Sequence, residues 1–146
     1  MKTKLELVKQ WRKAFSLPCS DTPKILSQDQ LDLHAKLIGD ESLECMDATS
    51  VVKIRDFIAD MQYYILCLAA EAGISEEQME KDFAEVHRSN MTKMWTSVEV
   101  RRESPPCWNS IGWTSKKVND TERCYIVRDS YGKIVKSPSY EKAKLV

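Results

Sequence analysis

No proline falls between Lys24 and Ser104, and Gly39 and Gly73 are the only glycines before residue 95. So long a run without backbone breakers predicts helices. Leu5, Val8, Trp11 and Phe15 recur at helical spacing and predict a first helix over residues 3–16. Pro18 and Pro23 mark the loop after it. Ser27 and Gln30 fit a capping box, in which a hydroxyl and an amide satisfy free backbone groups, and they open a second helix over 28–49. A third helix over 51–72 stops at Gly73, a residue type that commonly follows a helix end. Its Ile54, Phe57, Ile58, Met61, Ile65, Leu68 and Ala72 predict a buried stripe. Ser75 and Gln78 repeat the cap and start a fourth helix over 76–95.

Beyond residue 95 the character changes. Pro105-Pro106, Trp95, Trp108, Trp113 and scattered polar residues argue against further helix. Cys124 to Val127 suits a strand, Asp129 to Gly132 a turn, and Lys133 to Val135 a return strand. The expected fold class is all-α. A four-helix bundle-type domain occupies residues 1–95. An irregular C-terminal extension, residues 96–146, carries a small β-hairpin and packs on the same domain.

Composition narrows the function. The length of 146 residues suits one domain. Twenty-two basic residues balance 22 acidic ones, which disfavours a dedicated nucleic-acid binder. Residues 1–94 hold 12 basic and 16 acidic side chains, and residues 95–146 hold 10 and 6. Five widely spaced cysteines form no CxxC pair, so zinc and thioredoxin-like chemistry find no support. The N-terminal residues lack a signal-peptide core, and the apolar segment 61–72 is too short to span a bilayer. A reducing cytoplasmic setting is expected, with no membrane and no nucleic-acid partner. No P-loop, GxGxxG, HExxH or GxSxG motif occurs.

The informative residues are acids. On the second helix Glu41 and Glu44 are three apart, and Asp40 and Glu44 four apart. On the third, Asp56 and Asp60 are four apart. Each spacing puts side chains on one helical face, where like charges repel. A hard divalent cation such as Mg²⁺, which takes oxygen ligands, would reverse that repulsion. The alternative is a solvated acidic face, common on any charged helix. On the fourth helix His87, Asn90 and Lys93 form a polar stripe able to contact phosphate, or simply an exposed face. His34 shows no evident partner and reads as structural or exposed.

Residues 37–44 (LIGDESLE), 56–64 (DFIADMQYY), Gly73 and 86–93 (VHRSNMTK) together resemble the all-α NTP pyrophosphohydrolase superfamily. The nearest branch is the phosphoribosyl-ATP pyrophosphohydrolase-like part of the MazG-like proteins. The tail YGKIVKSPSYEKAKL resembles a Lys-rich, Tyr-containing ending common in that branch. The resemblance implies Mg²⁺, with Mn²⁺ as a substitute, held by Glu41, Glu44 and Asp60, with Asp56 next. It implies hydrolysis of a nucleoside triphosphate between the α and β phosphates, releasing monophosphate and pyrophosphate. Glu41 or Asp40 would take the proton from the attacking water, and Asn90, Lys93 and His87 would contact the substrate. A homodimer or homotetramer is expected. Phosphoribosyl-ATP is the alternative substrate, and a non-enzymatic helical interaction module the alternative class.

Two departures stand out. Asp40-Glu41 replaces a common glutamate pair, and Phe57 occupies a position that is acidic in many relatives, three before Asp60. Residues 95–122 read as an insertion in which Trp108 and Trp113 pack on the bundle or cover the site.

Overall fold

A computed structural model describes residues 1–103, 113–117 and 123–146. Trp108 therefore lies outside the described residues. The order of elements is α1 (Lys4–Ala14), α2 (Gln28–Met46), α3 (Val51–Ala72), α4 (Glu76–Met91), β1 (Trp95–Thr96), α5 (Ser97–Glu103), β2 (Trp113–Lys117) and β3 (Arg123–Val127). The chain divides into two compact units, Met1–Met79 and Glu80–Val146, and the division falls within α4.

The first unit is helical because its caps and stripes agree. Thr3 with Glu6, and Ser27 with Gln30, form complete capping boxes at the starts of α1 and α2. Ser50 and Ser75 accept the third backbone N–H of α3 and α4. Helix α3 is the common partner of α1 and α2. The core is small: Leu5 and Val8 of α1 meet Cys67, Ala69 and Ala70 of α3, with Tyr63, Leu66, Ile74 and Met79 packed around them. The small residues on α3 let α1 approach closely. Trp11 lies edge-on to Tyr63 with ring centroids 5.7 Å apart.

One buried carboxylate ties the three helices. Glu71 of α3 accepts from Arg12 of α1, from Gln30 of α2 and from His34 Nε2 of α2 at 2.9 Å. Arg12, His34 and Glu71 are all buried. Burial alone would push the Glu71 carboxyl up, but the His34 hydrogen bond and the Arg12 charge outweigh it and hold it below the ordinary value. Of the two readings for His34, structural or exposed, the structural one holds, and its partner is Glu71. The spacing of four between Gln30 and His34 was the available signal, since both project toward Glu71. His34 Nδ1 stays buried and unbonded among the described residues.

Helix α3 ends as expected. Gly73 takes φ 72°, and Ile74 N–H bonds back to the Ala69 carbonyl at 2.9 Å. A Cβ at position 73 would stand 2.0 Å from the Thr22 carbonyl oxygen. The loop reaches that position because Ser20 and Lys24 N–H groups bond to the last carbonyls of α3, at Ala70 and Ala72.

Several expectations need correction. Helix α2 ends at Met46 rather than 49, and α4 at Met91 rather than 95. The Thr92 hydroxyl turns back onto the Ser89 carbonyl at 2.7 Å and tightens the last turn of α4. The stripe on α3 is not buried throughout: Ile54, Ile58 and Ile65 are exposed, and Cys67, Ala69, Ala70 and Glu71 are the buried residues. Trp11 and Phe15 are likewise exposed on α1.

The second unit contains more order than the sequence suggested. Helix α5 was not expected, although Thr96 and Glu99 form a capping box whose spacing was readable: Thr96 N–H donates to Glu99 at 2.7 Å and Glu99 N–H returns to Thr96 at 3.2 Å. Strand β3 forms where expected but is central in an antiparallel sheet of order β1-β3-β2. Trp95 faces Tyr125 and Trp113 faces Val127 in register. Both edges of β3 are thus occupied. The return segment therefore pairs only past its end, through an Arg128–Ile134 bridge and a Val135 N–H bond to the Val127 carbonyl at 2.8 Å. The turn between them is wound around Asp129, whose carboxylate accepts the N–H groups of Tyr131 and Lys133.

The tail is fastened to the end of α4. Ser137 Oγ donates to the Thr92 carbonyl at 2.8 Å, and Glu141 N–H donates to the Thr92 hydroxyl at 3.0 Å. Arg88 bridges Glu85 and Glu141, and Glu85 accepts the Lys144 N–H at 2.9 Å. The Arg88 and Lys144 hydrogen bonds hold the Glu85 carboxyl down to about 2.

Glu71→Ala leaves Arg12 buried without its partner and is expected to cost about 3–5 kcal/mol in urea unfolding. The native Glu71 pKa lies below its unfolded value, so its contribution is present above the unfolded pKa and fades as pH falls through the native one. Wild type should therefore lose stability in acid more steeply than Glu71→Ala does. Gly73→Ala is expected to cost more than about 1 kcal/mol, from left-handed strain alone, with the Thr22 clash adding to it.

Candidate functional site

Helices α2 and α3 place Glu41, Glu44, Asp47, Lys53, Asp56 and Phe57 around one cavity of about 240 Å³, and Asp60 does not line it. Helical spacing explains the selection. Glu41 and Glu44 are one turn apart on α2, and Asp56 and Asp60 one turn apart on α3. Glu41 is buried, while Glu44, Asp56 and Asp60 are exposed.

The charges are felt at Glu41. Its pKa is raised, first by burial and then by the negative charges of Glu44, Asp60 and Asp56. Glu44 of α2 and Asp56 and Asp60 of α3 are therefore all close enough to act on Glu41. Asp40 does not join them. It is exposed and does not line the cavity. Phe57 lines the cavity at the position that is acidic in many relatives. Lys53 and Asp47 also line it. Sequence reasoning passed over Lys53, although it lies three residues before Asp56 on the same helix.

Among the described residues, no three His, Cys, Asp or Glu side chains are gathered tightly enough to hold a metal ion by themselves. The donor chemistry nonetheless suits a hard divalent cation. The donors are carboxylate oxygens, they carry uncompensated repulsion, and they open into a cavity. Mg²⁺ usually takes one or two carboxylates and completes its shell with water or phosphate oxygen.

His87, Asn90 and Lys93 belong to the second unit. Lys93 Nζ donates to Asn90 Oδ1 at 2.6 Å, so these two are brought together. Both line a small apolar cleft of about 170 Å³ with Met91, Met94, Ile126 and Ile134. His87 is exposed and lines neither this cleft nor the acidic cavity.

The sequence pattern of the phosphoribosyl-ATP pyrophosphohydrolase family matches residues 8–90, more than half of the chain. The protein belongs to this family. The matched span contains both acidic helices and Gly73, and it ends at Asn90. No curated protein matches the chain significantly. Membership in the pyrophosphohydrolase family supports a hydrolase acting on a nucleotide phosphoanhydride.

Repulsion at Glu41 gives a direct test. The raised native pKa means that the ionised form is disfavoured in the fold. Glu41's own contribution to stability should rise as pH falls through that pKa, where the native state takes up the proton first, opposite in sign to that of Glu71. In EDTA at neutral pH, Glu41→Gln is expected to melt above wild type, and the difference should shrink in acid.

Proposed function

We propose that this protein is a Mg²⁺-dependent pyrophosphohydrolase that cleaves a nucleotide triphosphate chain between the α and β phosphates. The observation that carries this reading is the acidic cavity between α2 and α3, within the family-matched residues. Glu41, Glu44, Asp56 and Asp60 are the residues that would hold the cation, with Mn²⁺ as a substitute. The chemistry such a cation supplies when bound is neutralisation of phosphate charge and acidification of a water.

The chain's own residues supply the rest. Glu41 is suited to be the proton acceptor, because a buried carboxylate among like charges is a stronger base than an exposed one. Asp40 is the weaker choice, since it lies off the cavity. Phe57 contributes an apolar wall where a further ligand would otherwise stand. Asn90 and Lys93 are suited to contact substrate through amide and ammonium donors.

Two substrates fit this chemistry. The matched family acts on phosphoribosyl-ATP, and the acidic cavity is equally compatible with a free nucleoside triphosphate. A homodimer or homotetramer is part of the proposal. Leu31, Leu33 and Leu43 of α2, with Ile54, Ile58 and Ile65 of α3, are exposed. So much apolar surface on one helix pair suits burial against a second copy. No single described helix is long and apolar enough to cross a membrane.

The test is pyrophosphate release from nucleoside triphosphates, deoxynucleoside triphosphates and phosphoribosyl-ATP, with Mg²⁺ and with EDTA. Metal-dependent release from one preferred substrate is expected. Glu41→Gln should lower turnover roughly 10²–10⁴-fold, the usual range for loss of a general base. Asp60→Asn should act through metal dependence, with partial recovery at higher Mg²⁺. No release from any substrate would favour a non-enzymatic helical module. Sedimentation should show an assembly larger than a monomer, and Ile58→Glu should shift it toward the monomer.

A further inference from the structure

The second unit carries a basic cavity that the acidic site does not account for. Its volume is about 380 Å³, and Lys93, Asp129, Lys133, Ile134, Val135 and Lys136 line it. Three lysines and one aspartate thus line the same cavity. The Asp129 carboxylate already accepts two backbone N–H groups in the turn. Among the described residues, none of Lys93, Lys133 and Lys136 forms an ion pair with an acid.

The lysines converge because the backbone holds them there. The Asp129 turn is closed by Asp129 N–H to the Lys133 carbonyl and by Gly132 N–H to the Asp129 carbonyl, both at 2.9 Å. Gly132 takes φ 81°, which a glycine adopts without strain. Lys136 Nζ stands 4.5 Å from the centroid of the Tyr140 ring. Ser89 Oγ lies 3.2 Å from the Tyr140 hydroxyl and donates to the Glu141 carbonyl at 2.8 Å. The Tyr140 pKa is lowered, first by the Ser89 hydrogen bond and then by the charges of Lys136, Lys93 and Lys142. A fourth lysine is therefore close enough to add to the field.

The cavity also has a neighbour of opposite chemistry. Lys93 and Ile134 line both it and the apolar cleft formed with Met91, Met94 and Ile126. Cationic and apolar compartments that share a wall suit a ligand with a polyanionic end and a flat, poorly charged end.

We propose that Lys133 and Lys136, with Lys93, bind the phosphate chain of a nucleotide whose base enters the adjoining cleft. The nucleotide identity of the ligand rests on the pyrophosphohydrolase reading. Binding of the phosphate chain rests on the lysine cavity itself. Inorganic tripolyphosphate offers the same anionic chemistry without the base, so the two parts separate in experiment.

The experiment is calorimetric titration of the full chain in EDTA with ATP, tripolyphosphate and sulfate. Both polyphosphates should bind, sulfate should not compete at equal concentration, and affinity should fall as salt rises. Lys133→Gln/Lys136→Gln should weaken both polyphosphates roughly tenfold or more, because each lost partner is a charge-assisted contact. Both lysines are exposed, so the substitutions leave the core alone. Lys13→Gln/Lys24→Gln removes the same charge from the first unit and should leave affinity unchanged.

Equal weakening by both double variants, or none by the first, overturns the proposal. Equal affinity for ATP and tripolyphosphate overturns the placement of the base. Should the lysine variant fail to fold, amine acylation of wild type read by mass spectrometry decides instead. Tripolyphosphate should protect Lys133 and Lys136 and leave Lys13 and Lys24 reactive; lack of protection overturns the proposal. A wild type that binds ATP through these lysines but releases no pyrophosphate refutes the hydrolase reading and leaves this cavity standing.

Discussion

The first unit is organised around a single buried negative charge. A carboxylate out of water is costly unless it is fully bonded. Glu71 meets that demand with a guanidinium from α1 and an amide and imidazole from α2. No pair of helices completes the set. The apolar core beside it is small, with Val8 and Ala70 among its most enclosed residues. Non-directional burial of that size would tolerate several helix registers. The bonds to Glu71 tolerate one, and they fix how α2 lies against α3. That register is what brings Glu41 and Glu44 opposite Asp56 and Asp60.

The acidic cavity and the Glu71 network are opposite solutions to the same electrostatic problem. At Glu71 the charge is compensated, and its carboxyl is held low. At Glu41 the neighbours are other carboxylates, and its carboxyl is pushed up. The fold concentrates unfavourable charge at one end of a helix pair whose other end is locked. Stored repulsion of this kind is relieved by a cation or by protonation, which makes the cavity responsive while the scaffold is not.

How much of this was legible depended on the range of the interaction. Caps and periodicity are local, so α3 was placed at its observed limits and Gly73 at its end. The two acidic pairs were legible for the same reason, because one helical turn decides which side chains share a face. The Glu71 network was not. Its contacts span 37 to 59 residues, and nothing local marks a glutamate as buried. The sheet was missed likewise: β3 looked like one arm of a hairpin, and only the distant pairing with Trp95 and Thr96 makes it central. The exposure of Ile54, Ile58 and Ile65 was illegible in a different sense. Their periodicity signals burial, but periodicity does not say against which surface. The lysines at 133 and 136 were legible only as members of a Lys-rich tail, and nothing local said that they share a cavity with Lys93. A turn wound around Asp129 brings them toward Lys93 from 40 residues away.

The fastening of the tail to α4 has a kinetic consequence. Ser137 meets Thr92 across 45 residues, Glu141 meets Arg88 across 53, and Lys144 meets Glu85 across 59. The contacts run antiparallel, so they can form in succession like the teeth of a zip. Loop-closure entropy grows only logarithmically with length, so the first contact carries nearly all of it and each later one adds little. Opening is the reverse, each contact released in turn. Lys133 and Lys136 lie beyond the innermost tooth, at Ser137. Loss of the Arg88 and Glu85 contacts alone would leave the Ser137–Thr92 bond, and the basic cavity beside it, in place.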